Sequence, residues 1–424
     1  MRGETDLNGR PISGASVGVR ARRTRGAMSL VLGAVLVALT ACGSGGDGAA
    51  EDGKGGGGKP AVADRTAPSK AVVSIAPKDG AKSVATSGEL KVTAEQGKLS
   101  SVKVSDTKGN EIEGTVAKDG ASWKPAHHLA AATEYRVHAV AKDSEGRESA
   151  KDQTFTTLVP ENTFVGHFTP EDGSKVGVGM PVSLRFTRGI TAPEAVERAV
   201  TVTAEPKVEI RSQWYGNDRL DFRPEEYWEP GTKVTVKLNL DGVEGRPGVY
   251  GEQAKEVSFT IGRSQVSTVD AKKKTMKVER DGKLLKTIPI TAGAPGTTTY
   301  NGQMVITEKH EVTRMNGETV GFGGEYDIKD VPHAMRLSTS GTFIHGNYWS
   351  GGAFGNYNAS HGCVGLRDTR GGWDKKAPGA WFYDSSMIGD VVVVKNSDDK
   401  KIQWWNGLNA WNLDWKKWNP QPKG

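Results

Sequence analysis

The chain has 424 residues, enough for two or three domains at roughly 150 residues each, which excludes a peptide or a single small module. Charged residues make up 25%, hydrophobic residues 36% and aromatics 7%, and the mean hydropathy is −0.50; this composition excludes wholesale disorder and a polytopic membrane protein. The formal charge of +6 is front-loaded: Arg2, Arg10, Arg20, Arg22, Arg23 and Arg25 against Glu4 and Asp6 place +4 of it before residue 42. The nearly neutral remainder has no Lys/Arg stripe, so no nucleic-acid partner is expected.

At the N-terminus, the arginines up to Arg25 precede an apolar run from Ala27 to Ala41, which ends Leu39-Thr40-Ala41-Cys42. A basic stretch, a short apolar stretch and small residues before a cut site are the parts of a secretory signal, and the run is shorter than the roughly 20 residues that span a bilayer. An uncleaved membrane anchor is the plainer alternative. Leu-Thr-Ala-Cys resembles a bacterial lipobox, which implies lipidation of Cys42, cleavage before it (signal peptide 1–41) and a chain anchored to the outer face of the cell membrane. Residues 42–67 are Gly-rich, with four consecutive glycines at Gly55 to Gly58, and read as a flexible tether. With Cys42 lipidated, Cys363 is left as a lone thiol in an exported protein.

Short alternating strands follow, with turn residues at Asp106–Gly109, Asp119-Gly120 and Asp143–Gly146, closing on Thr154-Phe155-Thr156-Thr157. The plan then repeats. Phe168-Thr169-Pro170-Glu171-Asp172-Gly173 answers Ala76-Pro77-Lys78-Asp79-Gly80, and Ser258-Phe259-Thr260-Ile261 answers the closing strand. This spacing, repeated over about 90–100 residues, predicts two tandem immunoglobulin-like sandwiches, 68–158 and 159–262, without cysteine. They are expected to act as spacers rather than ligand-binding modules. His127, His128, His138 and His167 lie in this region with no metal-ligand spacing.

A third segment, 263–395, opens with Met276 to Ile290, a strand–Asp-Gly turn–strand pattern that predicts a hairpin. A Gly-rich stretch from Gly293 to about Glu325, interrupted by the strand-like Met304–Val312, reads as a lid or binding loop. Beyond it stand Phe343-Ile344-His345-Gly346-Asn347-Tyr348-Trp349 and Ser360-His361-Gly362-Cys363-Val364-Gly365-Leu366-Arg367-Asp368. A cysteine attacks as thiolate and needs a neighbouring base, which an imidazole supplies. Gly362 permits a tight turn that aims successive N–H groups at one point, as an oxyanion requires. Acyl transfer is the reaction class this predicts. His361 is a second candidate base, since a residue two positions away on a strand faces the same side. A buried core thiol and a zinc site are the plainer readings of Cys363; the zinc reading lacks a Cys-x-x-Cys or His-x-x-x-His partner.

His345 followed by the Ser-His-Gly-Cys box resembles the signature of the L,D-transpeptidases, which cross-link bacterial peptidoglycan. The likeness extends through Trp381-Phe382-Tyr383-Asp384 and Gly389 to Val394, and the lipobox with two immunoglobulin-like domains is similar to actinobacterial members. The resemblance implies a mainly β fold: two sandwiches, then a β-rich L,D-transpeptidase catalytic domain. Cys363 would be the nucleophile and His345 the base, with His361, Gly362 and Cys363 giving backbone donors to the oxyanion. It also implies that Ser340 and Gly341 bind substrate, that Tyr326 lines the acyl pocket, and that Ser360 and Gly365 flank the substrate surface. Partners would be peptidoglycan tetrapeptide stems and, as inhibitors, carbapenem β-lactams; neither cofactor nor metal is called for. Two departures stand out: members often have Asn or Arg where this chain has Gly365, and some have Ser where it has Gly346. The alternatives are an L,D-carboxypeptidase and a non-catalytic cell-wall-binding scaffold.

In the Trp-rich subdomain 396–424, Trp411, Trp415 and Trp418 fall at i, i+4 and i+7, which predicts a C-terminal helix packed against the catalytic domain.

Overall fold

The computed structural model describes residues 67–320 and 323–421; the signal, the Cys42 lipidation site and nearly all of the tether lie outside the described residues. The fold is mainly β, as expected.

The first sandwich packs a sheet of Val72–Ala76, Lys91–Glu95, Ser122–Pro125 and Gly114–Val116 on a second sheet of Ala81–Val84, Glu148–Thr157, Glu134–Lys142 and Lys98–Asp106. Strict alternation along Glu134–Lys142 sends Tyr135, Val137, Ala139 and Ala141 inward, where Tyr135 stacks on Phe155 at 5.5 Å. The second sandwich pairs Gly166–Thr169, Val182–Phe186, Arg219–Arg223 and Arg211–Tyr215 in one sheet. Lys175–Val176, Ala254–Ile261, Lys233–Asn239 and Val200–Glu205 form the other. The repeat seen in sequence has a common hydrogen-bonding logic. Asp79 Oδ1 accepts the Thr154 amide at 2.7 Å, and Asp172 Oδ1 accepts the Ser258 amide at 2.8 Å. Gly80 and Gly173, both at positive φ, donate to the carbonyls of those same two closing-strand residues. Each Pro-x-Asp-Gly turn thus clasps its own closing strand.

The third segment is a nine-stranded sheet ordered Gly302–Val305, Val391–Lys395, Gln265–Asp270, Thr275–Arg280, Lys283–Thr291, Val364–Arg367, Phe343–Asn347, Asp327–Arg336, Glu308–Asn316. The expected hairpin is present, with Asp281 and Gly282 both at positive φ, the requirement of a type I′ turn. The stretch read as a loop from Gly293 is more ordered than its glycines suggested. Glu308–Asn316 pairs with Asp327–Arg336 as a long two-stranded arm, anchored by the buried run Val331 to Met335.

The tail differs from expectation in form and in partner. Residues 396–421 hold two 3-10 turns, Ala410–Asn412 and Trp415–Lys417, separated by extended backbone at Leu413 and Asp414, and no α-helix. Its tryptophans pack on the second sandwich. Strand Arg219–Arg223 explains this. Leu220 and Phe222 face the sandwich core, while Arg219, Asp221 and Arg223 on the outer face are also buried, because the tail lies over them. The Arg223 guanidinium sits 4.8 Å from the Trp411 ring, 5.2 Å from Trp415 and 4.7 Å from Trp418. The i, i+4, i+7 spacing therefore serves three rings gathered round one cation rather than a helix face. Asn419–Pro420 then adds a fifth strand to the sandwich sheet beside Arg211–Tyr215. Trp411 Nε1 also donates to Gly179 O of the same sandwich at 2.7 Å, while on the nine-stranded sheet Asn412 Oδ1 accepts the Gln303 amide at 3.0 Å and Asn409 Oδ1 the Val305 amide at 2.9 Å.

Trp418, 2% exposed, should therefore be a major stabilising residue: Trp418→Ala is expected to cost about 3–5 kcal/mol in urea unfolding. Trp373→Ala, at a ring 74% exposed, should stay within about 0.5 kcal/mol of the parent.

Candidate active site

Strands Phe343–Asn347 and Val364–Arg367 run parallel, with His345 in register with Gly365. Register partners in a parallel pair point to the same face, and so do residues two apart on one strand. Cys363, two residues before Gly365, therefore shares the face of His345. The remote sequence segments meet because of this one pairing.

The His345 ring is buried, and its Nδ1 lies 2.8 Å from Gly346 O. A carbonyl only accepts, so Nδ1 carries the proton and Nε2 keeps its lone pair. Burial lowers the His345 pKa, against the Gly346 carbonyl and the Asp368 charge, both of which raise it. Trp349 stacks on the imidazole at 5.6 Å between centroids, with 15° between planes. It is held there by Asn347, whose Oδ1 accepts the Trp349 and Ser350 amides.

The Cys363 thiol donates to Gly341 O at 3.7 Å. Burial pushes its pKa up to about 11, against a backbone hydrogen bond from Phe343 and the charge of Arg336. At neutral pH the pair is thus a thiol and a neutral imidazole, and the proton must move as the sulfur attacks.

Ser340 and Gly341 lie beside the thiol, Gly341 at φ +94. Ser360 Oγ donates to Cys363 O at 2.6 Å and accepts the Gly362 amide at 3.3 Å, while Thr297 Oγ1 and the Ala294 amide hold its carbonyl. Gly362, at φ +106, thus supplies the turn, and its amide is turned to Ser360 instead of standing open for an oxyanion. His361 places Nε2 3.1 Å from Glu325 Oε2 and tilts its ring against Tyr326 at 5.1 Å. Tyr326 itself has a pKa raised to about 12 by burial, with Cys363 and Glu325 adding to the rise.

The two departures have spatial causes. A Cβ on Gly346 would stand 2.3 Å from Asp368 Oδ2, and one on Gly365 would stand 3.0 Å from both Asn347 Nδ2 and Thr291 Cγ2. The space a side chain at 365 would enter is filled by the Asn347 amide.

Sequence reasoning missed Asn347, Trp349, Asp368 and Asn406. Asp368 Oδ2 pairs with buried His333 Nδ1 at 2.8 Å, and its signal was the glycine at 346 that makes room for it. Asn406 grips Thr339 and Ser340 from the tail, a contact across 66 residues with no local pattern. Among the described residues, no group of three or more His, Cys, Asp or Glu side chains could hold a metal ion, and no helix is long and apolar enough to cross a membrane.

A cysteine and a tautomer-fixed histidine on one sheet face define a candidate acyl-transfer centre. Residues 264–394 match the L,D-transpeptidase catalytic domain family, and residues 81–244 match the bacterial Ig domain family. L,D-transpeptidase 2 of Mycobacterium tuberculosis (strain CDC 1551 / Oshkosh) is 32% identical over 399 residues, 92% of this chain and 93% of that protein. L,D-transpeptidase 5 of Mycobacterium tuberculosis (strain ATCC 25618 / H37Rv) is 29% identical, covering 84% of this chain and 78% of that protein. A solved L,D-transpeptidase in complex with imipenem is 26% identical and covers 56% of this chain and 100% of that one, with a TM-score of 0.46. The chain belongs to the L,D-transpeptidase family.

Two outcomes test the site. Gly346→Ala is expected to lower stability by about 1–3 kcal/mol in thermal melts, since its new methyl displaces the Asp368 carboxylate. Alkylation of Cys363 by iodoacetamide should be slow at pH 7 and climb with thiolate fraction towards pH 11; a rate that levels off by pH 8 would contradict a burial-raised thiol.

Proposed function

We propose that the protein is a peptidoglycan L,D-transpeptidase that forms 3→3 cross-links through a thioester on Cys363. The observation that carries this reading is the His345 tautomer: Nδ1–H is committed to Gly346 O, which leaves Nε2 as the base on the face that Cys363 shares. In the first half-reaction Sγ attacks the carbonyl joining the third residue of a tetrapeptide stem to its terminal D-Ala, as His345 Nε2 takes the thiol proton. The Cys363 amide, just past the Gly362 turn, donates to the oxyanion. The C–N bond then breaks, His345 returns the proton to the leaving amine, and free D-Ala departs. In the second half-reaction the side-chain amine of a third-position diamino acid on another stem attacks the thioester. His345 accepts its proton, the amide forms and the thiol is restored. Ser340, Gly341 and Tyr326 border the donor stem, with Ser360 shaping the turn and Gly365 flooring the strand beside it.

In this reading the chain acts outside the cytoplasm, held at the outer face of the membrane by a lipid on Cys42. The two sandwiches serve to reach the wall, and carbapenems acylate Cys363. Water as acceptor would make the protein an L,D-carboxypeptidase instead.

Mass spectrometry of residues 68–424 incubated with a disaccharide-tetrapeptide separates these outcomes. Transpeptidation gives a dimer whose mass is two substrates less one alanine, and Cys363→Ala gives none. Tripeptide without dimer would assign carboxypeptidase activity, and unchanged substrate with no carbapenem adduct on a folded chain would favour a wall-binding scaffold.

A further inference from the structure

Between the tail and the candidate site runs a set of hydrogen bonds that the proposed mechanism does not use. Asn406, buried in the tail, accepts at Oδ1 from Thr339 Oγ1 at 2.8 Å and from the Ser340 amide at 3.0 Å, and donates through Nδ2 to Ser340 Oγ at 2.8 Å. Its backbone is fixed in turn. Trp405 O accepts from Arg219 of the second sandwich at 2.9 Å, and the Trp405 ring stacks on Tyr215 at 5.0 Å. Asn409 Nδ2 donates to both Asn406 O and Leu337 O, while its Oδ1 accepts the Val305 amide. Tail, sandwich and catalytic sheet all converge on the turn that carries Ser340 and Gly341.

Proton accounting at Ser340 gives this grip a chemical meaning. An amide nitrogen only donates, so Ser340 Oγ spends a lone pair on Asn406. Ser338 Oγ, 3.2 Å away, accepts the Thr342 amide, and either hydroxyl of the Ser338–Ser340 pair can be the donor in their contact. With Ser338 as donor, both Ser340 lone pairs are occupied and its hydroxyl proton is left for a third partner. Its neighbour Gly341 presents the carbonyl that accepts the Cys363 thiol, so that partner lies beside the nucleophile.

We infer that Asn406 is a positioning residue of the C-terminal tail that sets the Ser340 hydroxyl as a hydrogen-bond donor to a carbonyl or carboxylate of the substrate bound at Cys363. The inference rests on the reading of Ser340 as a substrate residue. An aspartate at 406 would keep the shape and both acceptor contacts, yet it would draw the Ser340 proton to itself, and the donor would be lost.

The test is a double-mutant cycle on the chain 68–424, reading the second-order rate at which imipenem acylates Cys363, followed by intact-protein mass. Asn406→Asp and Ser340→Ala should each slow acylation roughly tenfold, the scale of one hydrogen bond to a charged or reacting group. The double variant should be no slower than either single one, because both changes remove the same donated proton. Losses that multiply to about a hundredfold would overturn the assignment, as would an Asn406→Asp variant as fast as the parent. Thermal melts check folding; if the aspartate variant does not fold, the same cycle with Asn406→Ala takes its place, with the same sub-additivity expected. Absence of any adduct on the unaltered chain would instead reject Cys363 as the nucleophile, and this assignment with it.

Discussion

The parallel pairing of Phe343–Asn347 with Val364–Arg367 is the constraint on which the candidate site depends. Parallel neighbours need a crossover between them, and here the intervening residues do more than connect. They hold Trp349 over the imidazole through the Asn347 turn, then bring Ser360 to brace the Gly362 turn. The register is narrow: a slip of one residue would turn His345 and Cys363 to opposite faces of the sheet. Gly346 and Gly379 protect that register from below. Both lie close to Asp368 Oδ2, and neither leaves room for a side chain. A buried carboxylate, partnered by His333, is thereby packed directly against the two strands that matter most.

The electrostatics of the site follow from its dryness. Burial raises the thiol and lowers the imidazole, so both partners rest neutral and no ion pair has to be kept in a poorly solvated place. A resting ion pair would make the thiolate reactive to any passing electrophile; a neutral pair becomes nucleophilic only when a carbonyl is in place to receive the sulfur as the proton leaves. The cost of this arrangement is a slower free thiol.

Much of the fold was legible in the chain. The Asp-Gly hairpin and the two Pro-x-Asp-Gly turns carry local signals, because φ > 0 and side-chain-to-backbone bonds are set by a few adjacent residues. The tail was misread for a physical reason of equal generality. Spacing of three and four residues reports that side chains gather on one side, and a helix is only one way to gather them; Arg223 does so with two short turns and an extended break. Cys363 and His345 could be singled out because the reaction demands their chemistry at close spacing, whereas Ser340 and Gly341 came only through the family resemblance. Asn406 and Asp368 could not, since an amide or a carboxylate acquires its role from whatever tertiary contact it makes, and nothing local records that contact.

The last described strand belongs to the second sandwich although the chain has already traversed the whole catalytic sheet. The polypeptide leaves the sandwich at Ile261, builds the catalytic region, and returns to complete the sandwich with Asn419–Pro420. Topologically the catalytic region is therefore an insertion into the second sandwich. A catalytic region of this kind is not a cassette that can be moved onto an unrelated stalk. Recombination that exchanged the second sandwich would have to carry the distant tail with it, so the two must be inherited, and redesigned, as a single block.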